Sequence, residues 1–343
     1  MTMTQQRLHT TLFIALTLCL VAAAFGDLLL GTTHIPLDEV WAALVGESSN
    51  ANYAKIINEL RLPKIIVALI AGMALAVSGL QMQTMFRNPL AGPYVLGINS
   101  GASLGVALFT LAQPIIGVAS GGVLARFGLT GMAWIGSAAI LLVVMLLSRK
   151  IKNVSVILII GMMLGSAISA VVGVLQYMGS EESLKSFVVW TMGSLSTVTR
   201  DDLMVFAAAV FVGLVLSVMA IKPLNILLLG ESNARTMGLN IRRSRIIIFL
   251  STTLLAGTVT AYCGPIGFIG LAMPHLARFT FRTADHRVLL PATMLWGGFS
   301  MVLCSLIADV VAHGSVVLPV NTITALLGVP IIIFVVIRNR NHQ

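Results

Sequence analysis

The sequence predicts an all-α, polytopic integral membrane protein of about ten transmembrane helices, with both termini on the cytoplasmic side. Three observations carry this. Only 10% of the 343 residues are charged while 57% are hydrophobic, whereas a soluble chain carries about 25% charged residues, so polar surface is too scarce to cover a globule in water. The apolar residues gather in runs of roughly twenty, the length that crosses a hydrocarbon core ~30 Å thick. The lysines and arginines concentrate in alternate connecting segments.

The first run, 10–30, follows a segment carrying Arg7. Ala22-Ala23-Ala24 resembles a signal cleavage site, but the run is longer than a signal h-region, so a retained helix is expected. Further runs lie at 63–85, 94–113, 130–148, 154–177, 203–221, 245–262, 289–311 and 323–338. A shorter run, 266–281, contains Pro265 and Pro274, so a broken or tilted crossing is expected there. Let the N-terminus lie inside and every run cross. The inside segments then hold Arg7, Arg87, Arg149, Lys150, Lys152, Lys222, Arg235, Arg242, Arg243, Arg245, Arg278, Arg282, Arg287, Arg338 and Arg340, which is 15 of the 21 basic residues. The outside segments hold Lys55, Arg61, Lys64, Arg126, Lys185 and Arg200. Most acids, Asp27, Asp38 and Glu39 among them, fall outside, and only Glu231 and Asp285 fall inside. Omitting the 266–281 crossing would place Arg338 and Arg340 outside and erase the bias. The chain reads as a single membrane domain, 1–343.

Several function classes lose their footing here. The formal net charge of +9 does not mark a nucleic-acid binder, because the basic residues sit in short loops between apolar runs rather than on one soluble face. Cys19, Cys263 and Cys304 match no zinc or redox spacing and read as small buried residues. Gly101-Ala102-Ser103-Leu104-Gly105 matches a hydrolase nucleophile elbow, but it lies in an apolar run with no strand before it, where small residues serve helix packing. His275 lacks a ligand partner at helical spacing. No G-x-x-x-x-G-K-[ST] occurs, so the chain has no phosphate-cradling loop of that type. Asp309, near the outer end of a run, is the one candidate for an intramembrane ion site; a secondary transporter usually needs more, and its own reading is either functional or a hydrogen-bonded structural group.

Two segments outside the runs are long enough for structure. Residues 31–61, on the outside, suit a surface helix. Residues 222–245, on the inside, have a Leu-Leu-Leu-Gly core too short to cross and suit short helices at the cytoplasmic surface. Pro89 biases Asn88 away from helix at the inner end of the second run, and non-helical backbone at membrane depth is tolerated where protein or a water-filled cavity surrounds it.

Three stretches resemble the FecCD family, the permease subunits of bacterial importers for ferric siderophores, haem and vitamin B12. They are RLPKIIVALIAGMALAVSGLQMQTMFRNPLAGPYVLGINSGASLG at 61–105, LLLGESNARTMGLN at 227–240, and GPIGFIGLAMPHLARF at 264–279 followed by LPVNTITALLGVPIIIFVV at 318–336. The resemblance implies ten helices with both ends inside, a multi-pass protein of the bacterial inner membrane, and a homodimer or paired permeases. It implies two ATPase subunits that bind ATP and Mg in place of this chain, which itself binds no cofactor or metal and is not an enzyme. It also implies a periplasmic or lipoprotein substrate-binding protein. Coupling helices to the ATPase are implied at 224–240, with Gly230 and Gly238 flanking Glu231, Ala234 and Arg235. Asn88 and Leu90 are implied in a cytoplasmic gate with Val154 and Ser155. Arg61 and Lys64 are implied to meet acids of the binding protein, with His313 where relatives carry a further arginine; snorkelling to lipid headgroups is the alternative for the first two. Lys64 stands where relatives often carry a second arginine, and a lysine makes a point contact rather than a planar fork. A secondary transporter or channel for a small solute is the alternative function.

Overall fold

A computed structural model of the chain describes residues 3–31, 33, 35–111, 123–148, 151, 153–312 and 318–340. Helix α1 covers Met3–Leu29. Helices α2 (Leu37–Val45) and α3 (Ala51–Lys55) follow, as expected for the 31–61 segment. Asn50 starts α3 by accepting a hydrogen bond from the Asn52 amide. A π-helical stretch, Ile56–Arg61, runs straight into α4, Leu62–Met85. Pro63 explains the widened turn, because its ring would clash with the carbonyl four residues back and it offers no N–H.

A 3₁₀ turn at Pro93–Leu96 precedes α5, Ile98–Thr110. Helices α6 (Val123–Ser148) and α7 (Val154–Met178) come next, then α8, Glu181–Met192, which the apolar-run count did not anticipate. Its start is nonetheless written in the sequence: Ser180 accepts from the Ser183 amide, and Glu181 and Glu182 fill the first turn. Helix α9 is Arg200–Met219. The short α10 (Ile221–Leu227) and α11 (Glu231–Thr236) lead to α12, Ile241–Cys263. Helices α13 (Ile269–Phe281, with Pro274 inside), α14 (His286–Val311) and α15 (Val320–Arg340) complete the order. Among the described residues there is no strand, and 7 helices are long and apolar enough to cross a membrane. A helix satisfies its own backbone hydrogen bonds, which is the condition for crossing hydrocarbon. Most of these helices leave large apolar side chains exposed, Leu18, Ile135, Met163 and Phe211 among them, as lipid-facing surfaces do. Cys19 is exposed on α1 rather than buried, while Cys263 and Cys304 are buried as expected.

The chain divides into two compact units, each assembled from separated stretches. In the unit made of 1–77, 194–207 and 267–343, α1, α13 and α15 all pack on α14. The Gly72 and Gly297 backbones touch, so α4 approaches α14 at a distance that only glycines permit. At one end of this unit the C-terminus of α1, the N-terminus of α4 and Asp309 of α14 meet. At the other, His9 Nε2 lies 3.0 Å from the Phe281 carbonyl at the end of α13. Helices α1 and α14 therefore run one way, and α4 and α13 the other.

In the unit made of 78–193 and 208–266, α5 packs on α6, α7, α8 and α12. Gly101 and Gly105, which carried the hydrolase-like spacing, lie against α6: a Cβ on Gly101 would stand 2.5 Å from the Gly136 carbonyl oxygen. Packing accounts for these glycines. Gln81, fully buried, donates to Ser217 and Ser251 at 3.0 Å each and accepts from Thr252 at 2.8 Å. This network ties the ends of α4 and α9 within the unit to α12, with every amide atom of Gln81 used.

Candidate functional site

The short helices α10 and α11 lie where the expected cytoplasmic segment falls. Gly230 joins them at φ 94°, a conformation glycine reaches without strain. Gly238 closes the segment at φ 80°. Ala234 is fully buried in an apolar cluster with Leu224 and Leu227, while Arg235 is exposed beside Leu228, Leu229 and Met237, which are exposed too. Three exposed large apolar side chains on a segment outside the spans form a surface that a protein partner can cover. Glu231 turns inward: its Oε1 accepts from Arg245 Nη2 at 2.6 Å, and Arg245 Nη1 donates to the Ile151 carbonyl at 3.0 Å. A recess of about 140 Å³ opens beside this contact, lined by Ile151, Arg235, Arg242 and Arg245 among others.

The segments bearing Asn88, Leu90, Val154 and Ser155 come together in the same unit. Asn88 is half-buried and its Oδ1 accepts from the Leu90 amide at 2.9 Å, an Asx turn that leaves the Leu90 side chain exposed. Asn153 caps α7 by accepting from the Ser155 amide at 2.9 Å. Ala91, Val154 and Ile157 join the apolar cluster that holds Leu227 and Ala234. The run from Arg87 to Gly97 reaches well inside the unit, because a Cβ on Gly161 would stand 2.6 Å from the Val95 carbonyl oxygen. Gly161 is seven residues into α7, about 10 Å at the helical rise. This explains why α5 is short. Its 13 residues span about 20 Å, and non-helical backbone buried in protein covers the rest.

At the end of α4 in the other unit, Arg61 and Lys64 spend their charge internally. Arg61 is 7% exposed. It donates from Nη1 to the Leu28 and Leu29 carbonyls at 2.7 and 3.2 Å, and from Nη2 to Thr33 O at 2.5 Å. It thereby fills carbonyls that the end of α1 leaves open. Gly31 makes room for it, since a Cβ there would stand 2.8 Å from Nη2. Lys64 Nζ lies 2.5 Å from Asp309 Oδ1. Asp27, counted with the outside acids, is in the last turns of α1 and only 1% exposed. It faces Ser305 without a well-formed hydrogen bond, within electrostatic reach of Lys64, Asp309 and Arg61. His313 lies outside the described residues. On α2, exposed Glu39 accepts from the Ser48 hydroxyl at 2.7 Å and from Ser49. These two hydroxyls hold its carboxyl below the usual glutamate range. No group of three or more His, Cys, Asp or Glu among the described residues is arranged to hold a metal.

The partners of Arg245 and of Asp27 were not visible in the sequence. Glu231 and Arg245 are not at helical spacing, and nothing in the 10–30 run pairs Asp27 with Lys64, Asp309 or Arg61.

The described residues are all helical or irregular, with 7 helices long and apolar enough to cross a membrane and a short exposed helical segment between two of them, the make-up of a polytopic membrane protein. Comparison with known proteins gives the family: the FecCD transport family matches residues 16–338, and the chain belongs to it. It is 35% identical over 332 residues to the hemin transport system permease protein HmuU of Yersinia pestis, covering 96% of each chain. It is 34% identical over 338 residues to the vitamin B12 import system permease protein BtuC of Klebsiella pneumoniae subsp. pneumoniae, covering 98% of this chain and 97% of that one. A solved structure described as an inward-facing conformation of a metal-chelate type ABC transporter matches with a TM-score of 0.83 at 31% identity, covering 96% of this chain and 99% of that one.

Proposed function

We propose that this chain is the membrane-spanning permease subunit of an ATP-binding-cassette importer, moving an iron-siderophore, haem or cobalamin-type chelate by alternating access. The family match over nearly the whole chain carries the reading. The permease has ten crossings with both ends in the cytoplasm of a bacterium and sits in the inner membrane. The opposed directions of α1 and α4, and of α13 and α14, support that alternation. The whole chain acts as one permease domain, a homodimer with two ATPase subunits that bind ATP and Mg, and a periplasmic or lipoprotein binding protein delivers the substrate.

Residues 224–240 dock the ATPase. The exposed Leu228, Leu229 and Met237 beside Arg235 supply the surface, and buried Ala234 anchors it. Asn88 and Leu90 with Val154 and Ser155 form the cytoplasmic gate. At the outer end, Arg61 holds the turn after α1 in the shape a binding protein meets, and Lys64 exchanges Asp309 for an acid of that protein. A salt titration of binding-protein affinity tests this: Lys64→Gln should flatten the salt dependence, and an unchanged slope would remove Lys64 from the docking site.

Reconstitution tests the whole reading. Uptake of haemin or cyanocobalamin should require the ATPase, the binding protein and ATP. The rival reading, an ion-coupled secondary transporter, draws on the buried Asp27 near Lys64 and Asp309. Uptake driven by an ion gradient with no ATPase present would favour it and overturn the importer.

A further inference from the structure

We propose that Arg245 is a positioning residue that ties the ATPase-docking segment to the 154–155 half of the gate; the proposal rests on the docking and gate roles just given to residues 224–240, 88–90 and 154–155. One guanidinium, 5% exposed, joins three separated segments. It holds Glu231 in α11 at 2.6 Å and the Ile151 carbonyl at 3.0 Å, while its own backbone sits in the first turns of α12. Ile151 is two residues before Asn153, whose side chain fixes the Ser155 amide at the start of α7. A displacement of Glu231 therefore either carries the Ile151 turn with it or breaks a charge-assisted hydrogen bond. A planar guanidinium serves both acceptors at once in a fixed fork, which a lysine ammonium does not.

The other gate segment lies close to the same docking segment. Gly230 lies against the Arg87 side chain, such that a Cβ there would stand 3.3 Å from Arg87 Nη1. Arg87 directly precedes Asn88 and itself adopts φ 47°. Leu227 and Ala234 share one apolar cluster with Ala91 and Ile157. A well-packed cluster transmits a shift rather than absorbing it. Stability alone does not call for the charged pair, because apolar side chains of similar volume fill such a site about as well. What the pair adds is direction: it links particular atoms of the docking segment to particular atoms of the gate.

The experiment uses the full complex of permease, ATPase and binding protein in proteoliposomes. It compares wild type, Arg245→Met, Arg245→Lys and the exposed first-turn control Arg243→Met. ATPase co-purification, ATP hydrolysis and uptake of haemin or cyanocobalamin are measured, together with hydrogen exchange of residues 86–96 and 153–160 with and without ATP. Both Arg245 variants should keep the ATPase bound. They should lower uptake per ATP hydrolysed by about tenfold, inside the 5–150-fold range of usual coupling energies. They should also lose the ATP-dependent exchange change at 153–160. Unchanged uptake per ATP, or an equal loss in Arg243→Met, overturns the proposal. If Arg245→Met fails to assemble, Arg245→Lys and Glu231→Gln carry the test. The docking reading is judged apart from it: Leu229→Asp with Met237→Asp should release the ATPase, and retention there would sink docking whatever Arg245 does.

Discussion

Replacing Lys64 with methionine removes the positive partner of Asp309 while keeping most of the side-chain volume. The two charges lie 2.5 Å apart with side-chain exposures of 13% and 18%, so little water is at hand to take over. The loss also leaves Asp27, buried to 1% exposure, beside a second carboxylate with only Arg61 to balance them. Removing one member of a buried pair costs roughly 3–5 kcal/mol; the residual exposure argues for the lower end, about 3 kcal/mol. Replacing both members with apolar groups is often near neutral, so Lys64→Met with Asp309→Leu should return to within about 1 kcal/mol of wild type. At roughly 2 °C per kcal/mol for a chain of this size, the single variant should melt on the order of 6 °C lower and the double variant about 2 °C lower. Thermal unfolding in nanodiscs reads both. Adding Asp27→Asn to Lys64→Met should recover part of the loss, because it removes one of the two crowded carboxylates. A double variant as unstable as the single one would refute the reasoning, since packing rather than an orphaned charge would then set the cost.

Arg61→Met should strip the Leu28, Leu29 and Thr33 carbonyls of their donors at a cost of about 3 kcal/mol, and Arg61→Lys should restore only part of it; faster hydrogen exchange across 28–36 is the readout. Gln81→Leu should lower stability by roughly 2 kcal/mol, three interhelical hydrogen bonds at about 0.6 kcal/mol each in a membrane; an unchanged melting temperature would show that the network is not formed. Glu39 has a folded pKa below its unfolded one, so its contribution is fully present above the ordinary glutamate range and fades as pH falls through the folded value. Exchange at residues 46–50 should therefore quicken in acid in wild type and be pH-independent to that extent in Glu39→Gln.

Apolar length located the long helices well, because a membrane crossing is written locally: α1, α4, α7 and α14 begin and end within a few residues of the runs that predict them, the N-terminal extension of α1 apart. It misjudged the 94–113 run for a physical reason. Hydropathy is blind to backbone direction, and the chain there turns at Gly97, φ 77°, before α5 starts. It passed over α8 because that helix is only 12 residues long and begins with the mostly polar stretch Glu181, Glu182, Ser183, Leu184, Lys185 and Ser186. The candidate site was legible at the level of segments: α11 falls inside 222–245 and α10 begins one residue before it, and Pro89 announced the irregular run. Partners were not legible. Nothing local tells that the Leu28 carbonyl will come within 2.7 Å of a guanidinium 33 residues away.

That last point changes what basic residues at the end of a crossing mean. Composition offers Arg61 and Lys64 as free charge for a partner or for lipid, and in the folded chain each already has internal acceptors. A binding protein that recruits Lys64 must compete with Asp309, so its acid gains only the difference between two ion pairs, and docking by Lys64 is weak by construction. The inner face is the opposite case. Glu231 is committed to Arg245, yet Leu228, Leu229, Arg235 and Met237 stay uncovered on the same short segment. Covering exposed apolar side chains needs no internal bond to break, and each buried one is worth about 1.5–3 kcal/mol. Affinity for partners should therefore divide unevenly, with a tenacious inner contact and an easily released outer one.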